Sequence, residues 1–532
     1  MTLDPARIPR WLIALFAGVI AALAHPPWGL LPGLLGYPLL LWLIDTADEA
    51  RPLRSAFWRG WLAGLAYFGL GTWWISEAFL VDAANQGWMA PFAVVFMAGG
   101  VALFWGAAAL IYRWIRPAGV LRVLVFAGVL AGFEWLRGHV LTGFPWNLPG
   151  ETWKAGSALS QTAALVGAYG LTWITVATVS SLALWREGRT GRIAIGLAAL
   201  VLTGLFAFGA IRTHRVEASI RASGEPIRVR IVQADIEQSA KYDPAHFKRI
   251  VDAYVGLTAR PYPDGRPADI VVWPEGAIPA SINDYLAPGT WTRQAIEGPL
   301  RPGQVLLVGA YRFENEKTVY NSLVAARMTP QGLEPAGVYD KHRLVPFGEY
   351  MPLDSLMGAL GIKALVHVGD GFSHGPPPRP MQVEGLPAFQ ALICYEGLFP
   401  GFTQQGMRLS GVRPAFILNV SNDAWFGSTS GPLQHFNQAS YRAIESGIPL
   451  IRSTPTGVSG VVDAMGQVGA GRLHLGDTGV IDATIPSQRF YTPYNRLGEL
   501  PFIALLLISS GCILRNRVVQ ALKRRQNGVM GG

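Results

Sequence analysis

Three residues suited to chemistry stand far apart in this sequence but in similar settings. Cys394 ends the apolar run Phe389-Gln390-Ala391-Leu392-Ile393, and Gly397 follows three residues later. That pattern predicts a buried strand breaking into a tight turn, with the thiol at the strand's C-terminal end. Sharp turns after strands present nucleophiles in hydrolase folds, so the setting suits an oriented sulfur. Taken alone, a cysteine among apolar residues is more often a small core hydrophobe. Glu275 is placed alike: Val271-Val272-Trp273 stops at Pro274 and leaves the acid in the turn. Lys341 opens the run Lys341-His342-Arg343-Leu344-Val345-Pro346-Phe347-Gly348-Glu349-Tyr350. A lone loop acid and a basic trio are ordinarily solvated features. An acid, a cation and a thiol, each just past a strand, are also the ingredients of thiol-based acyl transfer. The histidines show no ligand spacing with cysteine or carboxylates, and no phosphate loop or dinucleotide glycine pattern occurs, so no metal and no cofactor are expected.

The elements that must position these residues begin near Pro226. Ile227–Ile231, Ile270–Trp273, Val305–Ala310, Ser322–Arg327, Phe389–Ile393, Ala415–Val420 and Gly479–Ile485 read as strands, with helical patterns at Ala245–Leu257 and Leu433–Ser446. Strands alternating with helices predict an α/β sheet architecture, whose sites lie at the C-terminal ends of strands.

The flanks are different. Of 532 residues half are hydrophobic and 15% charged, which points to a membrane protein. The net charge of +9 does not mark a nucleic-acid binder, because the basic residues sit in short clusters between apolar runs. Eight runs approach the length that crosses a bilayer: Ile8–Trp28, Leu30–Ile44, Gly60–Leu80, Met89–Ile111, Val120–Leu136, Thr162–Leu184, Ile193–Ile211 and Leu500–Leu514. The first also has signal-peptide features, with Ala22-Leu23-Ala24 as a cleavage site, but is read as a retained helix because the bundle continues after it. Arginines cluster before the first run, between the second and third, between the fourth and fifth, between the sixth and seventh, and after the eighth. The alternate loops carry almost none. Both termini are therefore expected in the cytoplasm and the segment between the last two helices outside it. The expected domains are a seven-helix bundle over 1–212, an extracytoplasmic domain over 226–490, a membrane helix over 499–516 and a tail over 517–532. Cys512 lies in the last apolar run, so Cys394 is expected as a free thiol. Glu134 and Arg137, at helical i, i+3 spacing near the outer end of the fifth run, are read as a structural pair close to the interface. Trp73, Trp74, Trp88 and Trp146 are read mostly as an interfacial aromatic belt.

The motifs Trp273-Pro274-Glu275-Gly276, Lys341–Tyr350 and Cys394-Tyr395-Glu396, in that order, resemble the Glu-Lys-Cys signature of the nitrilase (carbon–nitrogen hydrolase) superfamily. With helices on both sides, and with Phe133–Gly138 and Asn422–Gly427, the whole chain resembles the apolipoprotein N-acyltransferase family. The resemblance implies an αββα sandwich beside the bundle, in a bacterial inner membrane with the catalytic domain on the periplasmic side. It implies transfer of an acyl chain from a phospholipid to the α-amino group of a diacylglyceryl-cysteine apolipoprotein. The partners are thus lipid, apolipoprotein and bilayer, with no nucleic acid and a monomer expected. Tyr242 departs from the pattern, which tends to carry Trp there.

On this reading Cys394 attacks the ester carbonyl and holds the acyl group as a thioester. An ordinary thiol is only a few per cent ionised at neutral pH. Either Glu275 takes the proton as general base, or the Lys341 cation lowers the thiol pKa. Lys341 and the backbone N–H after Cys394 are the candidate oxyanion donors. Glu349 and Glu396 are expected to orient Lys341 or Glu275, hold the amine, or form structural pairs. Tyr395 either shapes the acyl pocket or packs in the core, and Trp425 either flanks the thiol or packs in the core. The apolar segment Met351–Val368 is read as a lid toward the bilayer. A membrane-tethered amidase or nitrilase using water is the rival enzyme, and a transporter or receptor with a ligand-binding outer domain the rival class.

Overall fold

The strand Ile270–Trp273 shows how the strand-rich half is built. All four residues are buried, and alternate side chains point to opposite faces of the sheet. Ile270 and Val272 enter one apolar cluster, and Val271 and Trp273 another. A strand covered on both faces belongs in the middle of a layered fold. The computed structural model describes residues 8–220, 227–351, 371–485 and 490–529. The chain divides into two compact units. One comprises Met1–Ser76, Trp88–Thr213 and Arg496–Gly532; the other comprises Glu77–Gly87 and His214–Asn495.

In the first unit the helices are α1 (Arg10–Leu23), α2 (Gly36–Asp45), α3 (Pro52–Gly71), α4 (Ala90–Ile115), α5 (Arg122–Arg137), α6 (Ala163–Ser180), α7 (Gly188–Ile220) and a C-terminal helix, Leu500–Val529. Among the described residues four segments are long and apolar enough to cross a membrane: Ala83–Ile115, Leu159–Leu184, Gly188–His214 and Leu500–Leu522. Arg10–Leu23 and Leu31–Asp45 are shorter apolar helices. Small residues set the closest packing, as expected where helices associate by backbone approach. A Cβ on Gly18 of α1 would lie 2.0 Å from the Ala63 carbonyl oxygen of α3. Some helix ends differ from the sequence reading. α3 starts at Pro52, whose fixed φ suits a first helical turn, and stops at Gly71 instead of running to Leu80. The last helix continues through the expected tail, where helix-forming Arg, Gln, Ala, Leu and Lys run on without a break until Gly528.

One reading of the bundle needs correction. Trp74 and Trp146 are buried with ring centroids 4.4 Å apart, so they are core; of the four, Trp73 and Trp88 are exposed as a belt requires. Glu134 and Arg137 do pair, and both are buried.

The second unit holds two sheets. The strands of the first are β1 (Ile227–Gln233), β2 (Ile270–Trp273), β3 (Val305–Asn315), β4 (Thr318–Thr329), β5 (Gly332–Asp340) and β11 (Gly479–Ile485), in the order β11-β1-β2-β3-β4-β5. The second contains β6 (Gln390–Ile393), β7 (Ile417–Val420), β8 (Leu450–Ser453), β9 (Ser459–Val462) and β10 (Val468–Leu473), in the order β10-β9-β8-β7-β6. One apolar cluster draws Ile231, Val272 and Leu307 from the first sheet and Ile393, Leu418 and Ile451 from the second, so the sheets pack face to face. Behind the first sheet lies α8 (Phe247–Thr258), contributing Ile250, Val251, Tyr254 and Leu257. α9 (Trp291–Glu297) adds Ile296. α10 (Phe402–Ser410) and α11 (Gly431–Ser446) accompany the second sheet. The result is helix–sheet–sheet–helix layering.

β5 and β8–β10 were not read from the sequence. β5 carries Pro335 and two glycines, which hide a strand pattern.

Candidate active site

β1, β2 and β3 run parallel, so the chain leaves β2 at the sheet edge where Glu275 follows Pro274. β4 runs antiparallel to β3 and β5 antiparallel to β4. Two reversals restore the direction, and Lys341, the residue after β5, emerges at the same end as Glu275. β4 begins at that end, which places Asn321 near its start beside them. Cys394 leaves β6 of the other sheet, in which β6, β7 and β8 run parallel. Sites of open α/β sheets form at such carboxyl ends.

The three side chains do converge. Lys341 is 1% exposed; its Nζ donates to Glu349 Oε1 at 2.8 Å and lies 3.5 Å from Glu275 Oε1. Asn321 Nδ2 donates to Glu275 Oε1 and to Glu349 Oε1, each at 2.7 Å. Its backbone carbonyl also accepts the Lys341 N–H at 2.8 Å. Glu275 Oε2 accepts the backbone N–H of Asn422 at 2.7 Å, just past β7. The Glu275 turn needs room: a Cβ on Gly309 of β3 would sit 2.5 Å from the Glu275 Cα. Burial opposes the charge on Lys341, but Glu349, Glu275 and Cys394 outweigh it and hold its pKa above the usual lysine range.

Cys394 has φ +48°, a backbone conformation that non-glycine residues rarely adopt. Several contacts hold it there. Glu396 Oε2 accepts the Ile393 N–H at 2.8 Å, while its Oε1 accepts the Tyr339 hydroxyl at 2.8 Å and the N–H groups of His342 and Arg343 at 2.8 and 3.1 Å. Glu396 thus ties the Cys394 turn to the loop after Lys341. Burial pushes Glu396 up to about 7, against the pull of those donors. His435 Nε2 meets the Cys394 carbonyl at 3.2 Å, and His435 Nδ1 meets Asp423 Oδ1 at 3.0 Å. Asp423 also receives Arg452 at 2.8 Å and the Ser421 hydroxyl at 2.7 Å. Burial and Arg452 lower His435 below the usual histidine range, against Asp423 and the Cys394 carbonyl, which favour the cation.

The thiol is not preionised. Burial and the Glu275 carboxylate push Cys394 up to about 12, and Lys341 and Ser421 only partly offset them. The raised thiol pKa runs against a thiolate standing ready beside Lys341.

The remaining expected residues fall elsewhere. Glu349 contacts Lys341 directly. Tyr395 is buried with its ring 5.1 Å from that of Phe399. Trp425 is half-buried in the turn Asp423–Phe426, and among the described residues it makes no hydrogen bond to the triad. Tyr242 is 50% exposed, and Gln238 Nε2 donates to its hydroxyl at 3.3 Å. The expected lid lies, from residue 352 on, outside the described residues. Sequence reasoning missed Asn321, and it missed the Asp423–His435–Arg452 network.

The chain as a whole has known relatives. Residues 17–181 match the family described as apolipoprotein N-acyltransferase N-terminal domain, and residues 228–492 match carbon–nitrogen hydrolase. An apolipoprotein N-acyltransferase of Caulobacter vibrioides is 60% identical over 95% of this chain and 94% of its own length. One from Brucella melitensis is 39% identical, covering 96% of each chain. Among solved structures, a variant of a Nesterenkonia amidase of the nitrilase superfamily aligns at 18% identity over 53% of this chain and 98% of its own, with a TM-score of 0.35.

Proposed function

The chain belongs to the apolipoprotein N-acyltransferase family, and from that premise we propose that Cys394 carries the acyl group between a phospholipid and an amine. The enzyme is an N-acyltransferase of lipoprotein maturation. The roles follow from the contacts. Glu275 takes the thiol proton as the Cys394 sulfur attacks the ester carbonyl, and the developing oxyanion is held by Lys341. The C–O bond breaks, the proton passes from Glu275 to the leaving lysophospholipid oxygen, and a thioester remains. The α-amino nitrogen of the diacylglyceryl-cysteine acceptor then attacks, gives its proton to Glu275, and the C–S bond breaks as the thiol recovers a proton. Glu349 and Asn321 hold Lys341 and Glu275 in place; Glu396 holds the loop. Tyr395 is assigned to packing, with Tyr242 and Trp425 at the rim. An oxyanion donor of this kind is commonly worth about 3 kcal/mol.

The observation that supports this most is geometric: a buried Lys341 ammonium lies 3.5 Å from Glu275 and 2.8 Å from Glu349, beside a Cys394 held at φ +48°. Incubating the protein with phospholipid should add one acyl mass to an intact chain carrying Cys394, and a diacylglyceryl peptide amine should remove it. Full acyl transfer by Cys394→Ala would sink the mechanism, and discharge to water with no amide formed would favour a hydrolase.

The same reading covers the membrane. The four long apolar segments, together with α1, α2, α3 and α5, account for eight crossings, and the arginine clusters on alternate loops support cytoplasmic termini. Domains over 1–212, 226–490 and 499–516, with the catalytic domain periplasmic at a bacterial inner membrane and the chain monomeric, complete the proposal. Impermeant labelling of single cysteines placed in the 212–226 segment and at the C-terminus tests the sidedness.

A further inference from the structure

Several buried and half-buried cations in this unit are seated on carboxylates. Lys341 sits on Glu349, Arg230 on Asp482, Arg312 on Asp340 and Arg452 on Asp423. Lys241, in the short turn Ser239–Tyr242 after β1, has no such partner among the described residues. Its Nζ donates only to the neutral side-chain oxygen of Asn422, at 3.3 Å. That asparagine is fully engaged: its Nδ2 donates to Gln238 Oε1 at 2.9 Å, and its backbone N–H holds Glu275 Oε2. Lys241 therefore stands two hydrogen bonds from the general base. It also overhangs the base's turn, since a Cβ on Gly276 would lie 3.6 Å from its Nζ.

An ammonium in this position lacks compensating charge. Burial lowers Lys241 to about 8, and the Glu275 carboxylate only partly offsets the loss of water. An anion arriving here would supply what the protein does not. The neighbouring Tyr242 ring, half-exposed, gives the same rim an apolar face.

The geometry points to Lys241 as the cation that binds the phosphodiester of the lipid acyl donor while the adjoining ester reaches Cys394. This rests on the donor being a phospholipid, as proposed above. The phosphodiester is an anion joined to the scissile ester by a short glycerol linker, so a cation beside Glu275 can hold one while the thiol attacks the other. Lysine offers a point charge on a flexible stem and not a rigid fork, so it accepts a phosphate whatever alcohol caps it. Phosphatidylglycerol and phosphatidylethanolamine should then depend on Lys241 equally.

The test follows the acyl adduct on Cys394 by intact mass in the full-length protein, with phosphatidylglycerol or the uncharged ester p-nitrophenyl palmitate as donor. Lys241→Ala should slow acylation by the phospholipid about 10- to 100-fold, the span of a charged hydrogen bond, mainly through KM. Acylation by the uncharged ester should fall by far less, and Lys241→Arg should recover most of the loss. Lys248→Ala, which breaks an exposed ion pair on α8, should leave both donors unaffected. Equal losses with both donors would overturn the assignment, because Lys241 would then act through Asn422 on Glu275. No loss with either would overturn it too. A wild-type protein that accepts the uncharged ester but no phospholipid would overturn the donor reading itself, a result visible before any variant is made.

Discussion

Two buried ion pairs in this protein look alike and behave differently. In the bundle, Arg137 pairs with Glu134 on the same helix, donates to the carbonyls of Phe144 and Trp146, and stacks over Phe68 at 4.9 Å, while Trp105 Nε1 donates to Glu134 at 2.6 Å. One positive and one negative charge cancel, and each is surrounded by ordinary partners. In the catalytic unit Lys341 faces two carboxylates, with a thiol and a half-buried lysine close by. The charges there are not paired one to one: Lys341 is shared by two carboxylates, and Lys241 rests on the neutral side chain of Asn422. Burial of a salt bridge therefore says little about function; what marks a site is charge shared unevenly beside a strained nucleophile.

The contrast can be broken by experiment. Cys394→Ala should abolish acyl transfer, by at least about 10⁴-fold, while thermal unfolding in detergent stays near the wild type. Glu275→Gln should cost about 10²- to 10⁴-fold in transfer, the usual span of a general base. The same change should lower the Cys394 pKa, because the Glu275 carboxylate is, after burial, the largest cause that raises it. In a Cys512→Ala background, ultraviolet thiolate absorbance should therefore appear at lower pH in Glu275→Gln than in its parent. A thiol that ionises at the same or higher pH would contradict the coupling. Arg137→Met leaves Glu134 buried and unpaired, which typically costs about 3–5 kcal/mol. It should reduce folded yield and melting temperature, with the specific activity of the folded fraction retained; a selective loss of activity would erase the distinction between the two pairs. Asn321→Ala should be mildest, about 1–3 kcal/mol of transition-state stabilisation, seen in kcat more than KM.

Much of the site was legible because strand ends punctuate sequence clearly. Ile393 to Cys394 and Trp273 to Pro274 each mark the end of an apolar run, and the long run from Lys341 to Tyr350 carried the resemblance. Asn321 was not legible because its role depends on pairing: only the antiparallel register of β4 with β5 brings its carbonyl to the Lys341 N–H and its amide to both acids. His435 sits in an amphipathic helix pattern, and nothing local separates it from a core residue. Lys241 lay in a stretch noted for its neighbour Tyr242, and its lack of a counter-ion is a property of the folded chain alone. In the bundle, apolar runs located the helices while their ends depended on local details such as Pro52. Burial of Trp74 and Trp146 came from packing that composition does not encode.

The division of the proposed triad between two sheets has its own consequence. Glu275 and Lys341 hang from one sheet and Cys394 from the other. A chain with only one sheet assembled, or with the sheets not yet packed, has a thiol without a base and a base without a thiol. Such a chain is chemically silent. On the proposed mechanism, the fold would then act as its own safety catch beside a bilayer full of esters, releasing reactivity only when assembly is finished.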